Sequence, residues 1–197
     1  MALAAHVVVD QPSITAYGTA ATTIFGQMST ELTTLISDVV EVKYEAPTAT
    51  QFKRETGNLA VAFANALHKD MNAMAASVTA AVTSIAGAFD ATSVTIEVAN
   101  KAITAPSVPE TTTIDLETAG LIALKDTVDT RFKAIIGFLV DHKDALDKTI
   151  WEGNAKERAK GEVNTLTTHS TQQCEQAQKD IKAFIDTQLD NVSITDA

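Results

Sequence analysis

The chain has 197 residues, 45% of them hydrophobic, with only 8 Gly and 4 Pro. That balance suits a mostly helical protein long enough to bury a core without staples. A formal net charge of −10 excludes a role built on neutralising nucleic-acid phosphates or anionic lipid, since either needs clustered Lys and Arg.

Residues 1–10 are expected to form an extended N-terminal arm around Val7-Val8-Val9. They lack the basic region and apolar length of a signal peptide, so the chain stays in the cell or leaves by a route that does not read one. The first helix opens after Asp10-Gln11-Pro12, with Ser13 or Thr15 as its cap. Its apolar positions Met28, Leu32, Leu35, Val39 and Val42 alternate steps of four and three, the stripe of a helix lying nearly parallel to a neighbour. Pro47 stops it after Tyr44-Glu45-Ala46 and opens the next helix.

The second helix carries Phe52, Leu59, Phe63, Leu67, Met71, Met74, Val78, Val82, Ile85 and Phe89 at the same spacing. Residues 71–89 contain no charge and have the length of a membrane span, but Ala, Ser, Thr and Asn dilute them. A buried or partner-facing helix is the favoured reading, which makes Met71 and Met74 candidate interaction residues. Residues 91–116 read as a linker with one alternating stretch, Val94, Ile96 and Val98, able to pair with another edge, including one from a neighbouring molecule.

The third helix shows Leu121, Leu124, Val128, Phe132, Ile135, Leu139, His142, Leu146 and Thr149, with His142 read as a neutral, hydrogen-bonded core residue. Trp151-Glu152-Gly153 makes the bend. A fourth helix follows through Ala155, Ala159, Val163 and Leu166, then a polar middle around His169, then Ala177, Ile181, Phe184 and Leu189. A polar middle does not suit a dry core, so His169 is expected to face water or a polar partner. Cys174, the one cysteine, lies in this run without an adjacent base and reads as an ordinary helix residue.

The expected fold is all-α. Two antiparallel helical hairpins, residues 11–90 and 117–190, form an elongated four-helix bundle, with short extended segments at the N-terminus, in the linker and in a tail over residues 191–197. Two echoes suggest internal duplication: Asp90-Ala91-Thr92-Ser93-Val94-Thr95 with Asp190-Asn191-Val192-Ser193-Ile194-Thr195, and Pro12-Ser13-Ile14 with Pro106-Ser107-Val108. Counted from Tyr44 and Trp151, they make the second helices differ by seven residues, two turns that preserve the inward face.

Both halves resemble the Trp-X-Gly helical hairpins associated with type VII secretion. Trp151, Gly153 and Ala155 fit that family's bend; Tyr44 and Ala46 stand where Trp and Gly would be, followed by Ala49 and Phe52. Arg158-Ala159 replace the aromatic that follows the bend in the family, and Phe184 has Gln188, not an acidic residue, four positions on, so the family's export signal is absent there. Members pair as hairpins into a four-helix bundle. The resemblance therefore implies a dimer folded within one chain, acting as a non-enzymatic protein-interaction module that is exported by, or works at, a type VII system.

No Gly-rich phosphate loop and no His or Cys ligand spacing is present, so no catalytic, cofactor-binding or metal-binding residue is assigned and no cofactor is expected. Partners are proteins or further copies of the chain. Two other classes compete: a self-assembling subunit of a phage tail, virion, sheath or extracellular filament, and a helical membrane-inserting toxin using residues 71–89.

Overall fold

The computed structural model describes residues 6–91, 93–98, 103–105 and 107–195; residues 1–5 of the expected arm, Pro106 of the second echo and residues 196–197 of the expected tail lie outside them. The protein is an all-α bundle, with 79% of the described residues helical. Four helices, α1 (Gln11–Glu41), α2 (Pro47–Ala88), α3 (Thr118–Asp147) and α4 (Asn154–Thr195), are joined by two-residue strands β1 (Val8–Val9), β2 (Tyr44–Glu45), β3 (Asp115–Leu116) and β4 (Trp151–Glu152).

Boundaries repeat at a constant spacing. Gln11 to Thr118, Tyr44 to Trp151, Pro47 to Asn154 and Ala88 to Thr195 are each 107 residues apart. The same spacing relates the cores. Ile14, Phe25, Met28, Leu32 and Val78 are buried, and so are Leu121, Phe132, Ile135, Leu139 and Ile185 at the corresponding places. This overturns the register drawn from the echoes. Asp190 stands opposite Thr83, inside a helix, and α2 and α4 have the same 42 residues. The expected seven-residue difference and the tail from residue 191 are both absent, because residues 190–195 contain neither Gly nor Pro and stay helical to Thr195.

α2, by contrast, is actively stopped. The Ala91 N–H reaches the Ala86 carbonyl at 2.9 Å while Asp90 adopts a left-handed φ of 50°, which turns the chain back over the helix end. α1 is capped by neither Ser13 nor Thr15. Asp10 does it, its Oδ2 accepting the Ser13 N–H at 2.9 Å; the Thr15 hydroxyl instead donates back to the Gln11 carbonyl.

Each helix contributes to two compact units. Unit 1 holds residues 1–29, 67–100 and 136–171, and unit 2 holds residues 30–66, 101–135 and 172–197. The 107-residue spacing carries the elements of one unit onto those of the other. In unit 1, β1 pairs antiparallel with β4, Val9 opposite Trp151. In unit 2, β3 pairs antiparallel with β2, Leu116 opposite Tyr44. Each bend is therefore held by the segment that precedes the other hairpin's first helix.

The two bends match in pairing but differ in backbone. Trp151 and Tyr44 are both buried, at 1% and 3% exposure. Gly153 has φ of 120°, whereas Ala46 is not among the positive-φ residues. A Cβ at Gly153 would lie 3.3 Å from Val7 Cγ2 as well as straining the backbone. Gly153→Ala is expected to lower stability by about 1–3 kcal/mol in urea unfolding, and Ala46→Gly by less than about 1 kcal/mol.

Candidate interaction surface

Within the α4 run that the sequence marks as polar, Thr167, Ser170 and Cys174 are core while His169 is exposed. The inward stripe runs Ala159, Val163, Thr167, Ser170, Cys174, Ala177, Ile181 and Ile185, all buried. Phe184 and Leu189 fall to its side. Burial pushes the Cys174 thiol up to about 12, so it stays protonated and is a poor nucleophile.

His169 is half exposed to solvent, as expected of the polar middle, and is also bonded within the chain. Its Nδ1–H donates to Asp70 Oδ2 at 2.7 Å, and the Ser170 hydroxyl donates to the same oxygen at 2.9 Å, all within unit 1. These are the residue types of a hydrolytic triad, but the serine bonds to the carboxylate instead of the imidazole, so nothing draws its proton. The cluster is a polar tie between α2 and α4, with Asp70 and Ser170 buried and the His169 ring half exposed. The unit 2 counterparts of Ser170 and Asp70 are Phe63 and Ala177, both apolar and buried. Asp70→Ala leaves the Ser170 hydroxyl buried without its acceptor and is expected to cost about 1–3 kcal/mol. Adding Ser170→Ala should recover part of that loss in the same urea titration.

A second polar pair lies between α1 and α3 of unit 1. The Tyr17 hydroxyl and His142 Nε2 are 2.9 Å apart, and the His142 ring packs 4.7 Å from Phe25. Burial raises the Tyr17 phenol and lowers His142 to about 4, so both are neutral at pH 7. The unit 2 counterparts are Leu124 and Leu35, also buried. Unit 2 places its charges nearer the surface: Arg131 bonds Glu31 and Asp38 at 2.9 Å each, and Lys182 bonds both oxygens of Asp129 at 2.7 Å. Among the described residues, no group of three His, Cys, Asp or Glu side chains is placed to hold a metal ion.

Met71 and Met74 are fully buried, as are Val78 and Val82 at 0% and 3% exposure. The expectation that these methionines meet a partner is corrected: they are core. α2 is long and apolar enough to cross a membrane, but its apolar stripe already faces the inside of the chain.

Surface apolar area is found elsewhere. At one end of unit 1, Val7 and Val9 face Val82, Ile85, Ala86 and Phe89 across a cleft of about 300 Å³. Val7 is 53% exposed and Phe89 75%. The Val7 counterpart in unit 2, Ile114, is 73% exposed. Sequence reading placed Phe89 on the inward stripe, whereas α2 ends at Ala88 and the Asp90 turn carries Phe89 outward.

The alternating stretch of the linker makes no strand. Residues 93–98 are extended, with Ile96 buried and Val94 and Val98 half-buried. The Ile96 N–H donates to Thr79 Oγ1 on α2 at 3.1 Å, and Val94 sits over Gly18 of α1. The two-residue period is thus real, but it reflects an extended chain lying on helices instead of a ladder with another edge. In unit 2 the linker fastens to the start of α2, where Arg54 pairs with Glu110 at 2.8 Å.

Of the sequence-chosen residues, Trp151 and Gly153 come together in unit 1, Tyr44 and Ala46 in unit 2, and Val94, Ile96 and Val98 in a separate groove of unit 1. No protein-family model, curated protein or solved structure matches the chain.

Proposed function

We propose that the chain is a non-enzymatic protein-interaction module, a one-chain counterpart of a paired Trp-X-Gly hairpin dimer that works with a type VII export system. The observation that carries the reading is the constant 107-residue spacing that brings Tyr44 and Trp151 to equivalent bends, each held by a strand leading into the other hairpin. A duplicated hairpin closing on its own copy gives this exchange of edges directly. The export role comes from the resemblance, and its test is secretion. A tagged chain expressed in a host with an active type VII system should accumulate in the medium, and should not when the system's ATPase is deleted. Retention in both strains, or release from both, overturns the export role.

A self-assembling subunit is the second reading, and the exposed Val7 and Phe89 beside the apolar cleft favour it. Light scattering separates the two. A mass that stays at 20.9 kDa across a hundredfold range of concentration supports the closed module, whereas growth to large particles supports the subunit.

A further inference from the structure

The chain's four histidines, His6, His68, His142 and His169, all fall in unit 1, and unit 2 has none. Their counterparts 107 positions away are Thr113, Glu175, Leu35 and Ala62. The side chain type that gains charge in mild acid is therefore confined to one of two matching halves.

Of the four, His142 alone is fully buried. Its Nε2 is 2.9 Å from the Tyr17 hydroxyl on α1, and its Nδ1 is buried with no hydrogen-bond partner. A proton on this ring gives Nδ1 a charged N–H and no acceptor. Tyr17 is the titratable group that faces it from α1. Among the described residues, no charged group of α2 or α4 bonds to it, and Asp141 and Lys143 flank it on α3 outside the buried core. Nothing in the seam neutralises a cation there.

The other ties of unit 1 respond in the opposite sense. His169 bonds Asp70 at 2.7 Å between α2 and α4, and His6 bonds Glu152 at 3.2 Å beside the β1–β4 pair. A proton on either imidazole adds charge next to a carboxylate and strengthens the bond. In unit 2, the bond to Lys182 holds Asp129 below the ordinary carboxylate range. The stability from that pair is complete above the unfolded value of 3.8 and is lost only as pH falls through the lower folded one. Mild acid therefore strikes the α1–α3 seam of unit 1 first. α1 is poorly equipped to resist, since residues 11–29 contain Gly18, Gly26 and four threonines, all weak helix formers.

We propose that Tyr17 and His142 form an acid-released latch: protonation of His142 opens the α1–α3 seam of unit 1 and uncovers the buried Ile14, Phe25 and Leu139, while the α2–α4 tie and unit 2 stay closed. Mild acid then displays apolar surface on one half of the chain without global unfolding. The latch does not depend on the export role, and it stands or fails separately.

Hydrogen exchange of the full chain at pH 7 and pH 5, read by mass spectrometry and corrected for the intrinsic rate at each pH, is the test. With His142 at about 4 when closed and 6.5 when open, the opening equilibrium should rise about 30-fold at pH 5. Peptides over residues 11–29 and 136–147 should lose protection by that factor, and those over 30–41, 67–88, 118–135 and 154–171 should change less than threefold. In Tyr17→Phe/His142→Leu the difference between the two sets should vanish. Equal loss in both units, or on all four helices of unit 1, is unfolding without a latch and overturns the proposal, as does unchanged protection at residues 11–29. Should the double variant fail to fold, the titration of the His142 ring in the wild-type chain, followed by NMR, decides instead. A midpoint below about 5 supports the latch, and one near 6.5 overturns it.

Discussion

Trp151→Ala is expected to lower the unfolding free energy by about 3–5 kcal/mol, the range for deleting a large buried aromatic. Trp151 is 1% exposed and stands opposite Val9 in the β1–β4 pair, so truncation opens a cavity at the point where the second hairpin's bend is fastened. The fastening has further parts that truncation leaves in place: the Asp10 N–H donates to the Ile150 carbonyl at 2.9 Å, and the Ile150 N–H donates to Ser13 Oγ at 2.8 Å. Trp151 Nε1 is buried with no hydrogen-bond acceptor among the described residues. Trp151→Phe removes that orphaned donor along with part of the ring, so its loss should be less than half that of the alanine variant. Tyr44→Ala should behave like Trp151→Ala, since Tyr44 is 3% exposed and meets Phe52 edge-on at 6.2 Å. Urea unfolding followed by circular dichroism measures all three, and a loss under about 0.5 kcal/mol for Trp151→Ala would make the indole a surface group.

The second large effect is a loss of stability in mild acid. His142 has its pKa lowered to about 4 by burial, against 6.5 in the unfolded chain. Between those values the unfolded state binds the proton and the folded state does not. Stability is therefore complete above pH 6.5 and declines as pH falls toward 4, by about 3 kcal/mol in all from this residue. In Tyr17→Phe/His142→Leu both polar groups are gone and the site approaches the Leu124 and Leu35 pairing of unit 2. That variant should lose about 3 kcal/mol less than the wild type over the same window. Parallel pH profiles for the two proteins would contradict the buried, neutral histidine.

The three-four spacing was enough to find three of the four helical stripes. Met28 to Val39 on α1 and Leu121 to Leu146 on α3 are buried as their periodicity implies, Val42 and Thr149 are buried just past the ends of those helices, and on α2 the stripe from Phe63 to Val82 is core. α4 was misread because Thr167, Ser170 and Cys174 occupy inward positions where hydrophobicity alone sees a polar gap. Those side chains are small, and Ser170 satisfies its hydroxyl on Asp70, a residue 100 positions away that no local pattern reveals.

The duplication was legible at the bends and obscured at the ends. Asp90 and Asp190 look alike, yet one adopts the left-handed turn that ends α2 and the other lies within α4. Matching Tyr44 to Trp151 and carrying 107 residues throughout would have placed Phe63 against Ser170 and Leu35 against His142, marking both polar ties as departures from an apolar partner. The extended arm at Val8-Val9 was read, but its pairing with the second bend and the whole of β3 were beyond reach, since two-residue pairings leave no periodic trace.

Cysteine cross-linking tests the account's central claim most directly. Val8 stands opposite Glu152 in unit 1, and Glu45 opposite Asp115 in unit 2. Antiparallel partners are within disulfide reach. Buried Cys174, its thiol held protonated, does not compete. Val8→Cys/Glu152→Cys and Glu45→Cys/Asp115→Cys should each oxidise to a bridge within one chain, seen by non-reducing mass spectrometry at the monomer mass. A pair that stays reduced, or that links only between chains, would contradict the exchange of edges on which the folded-in dimer rests.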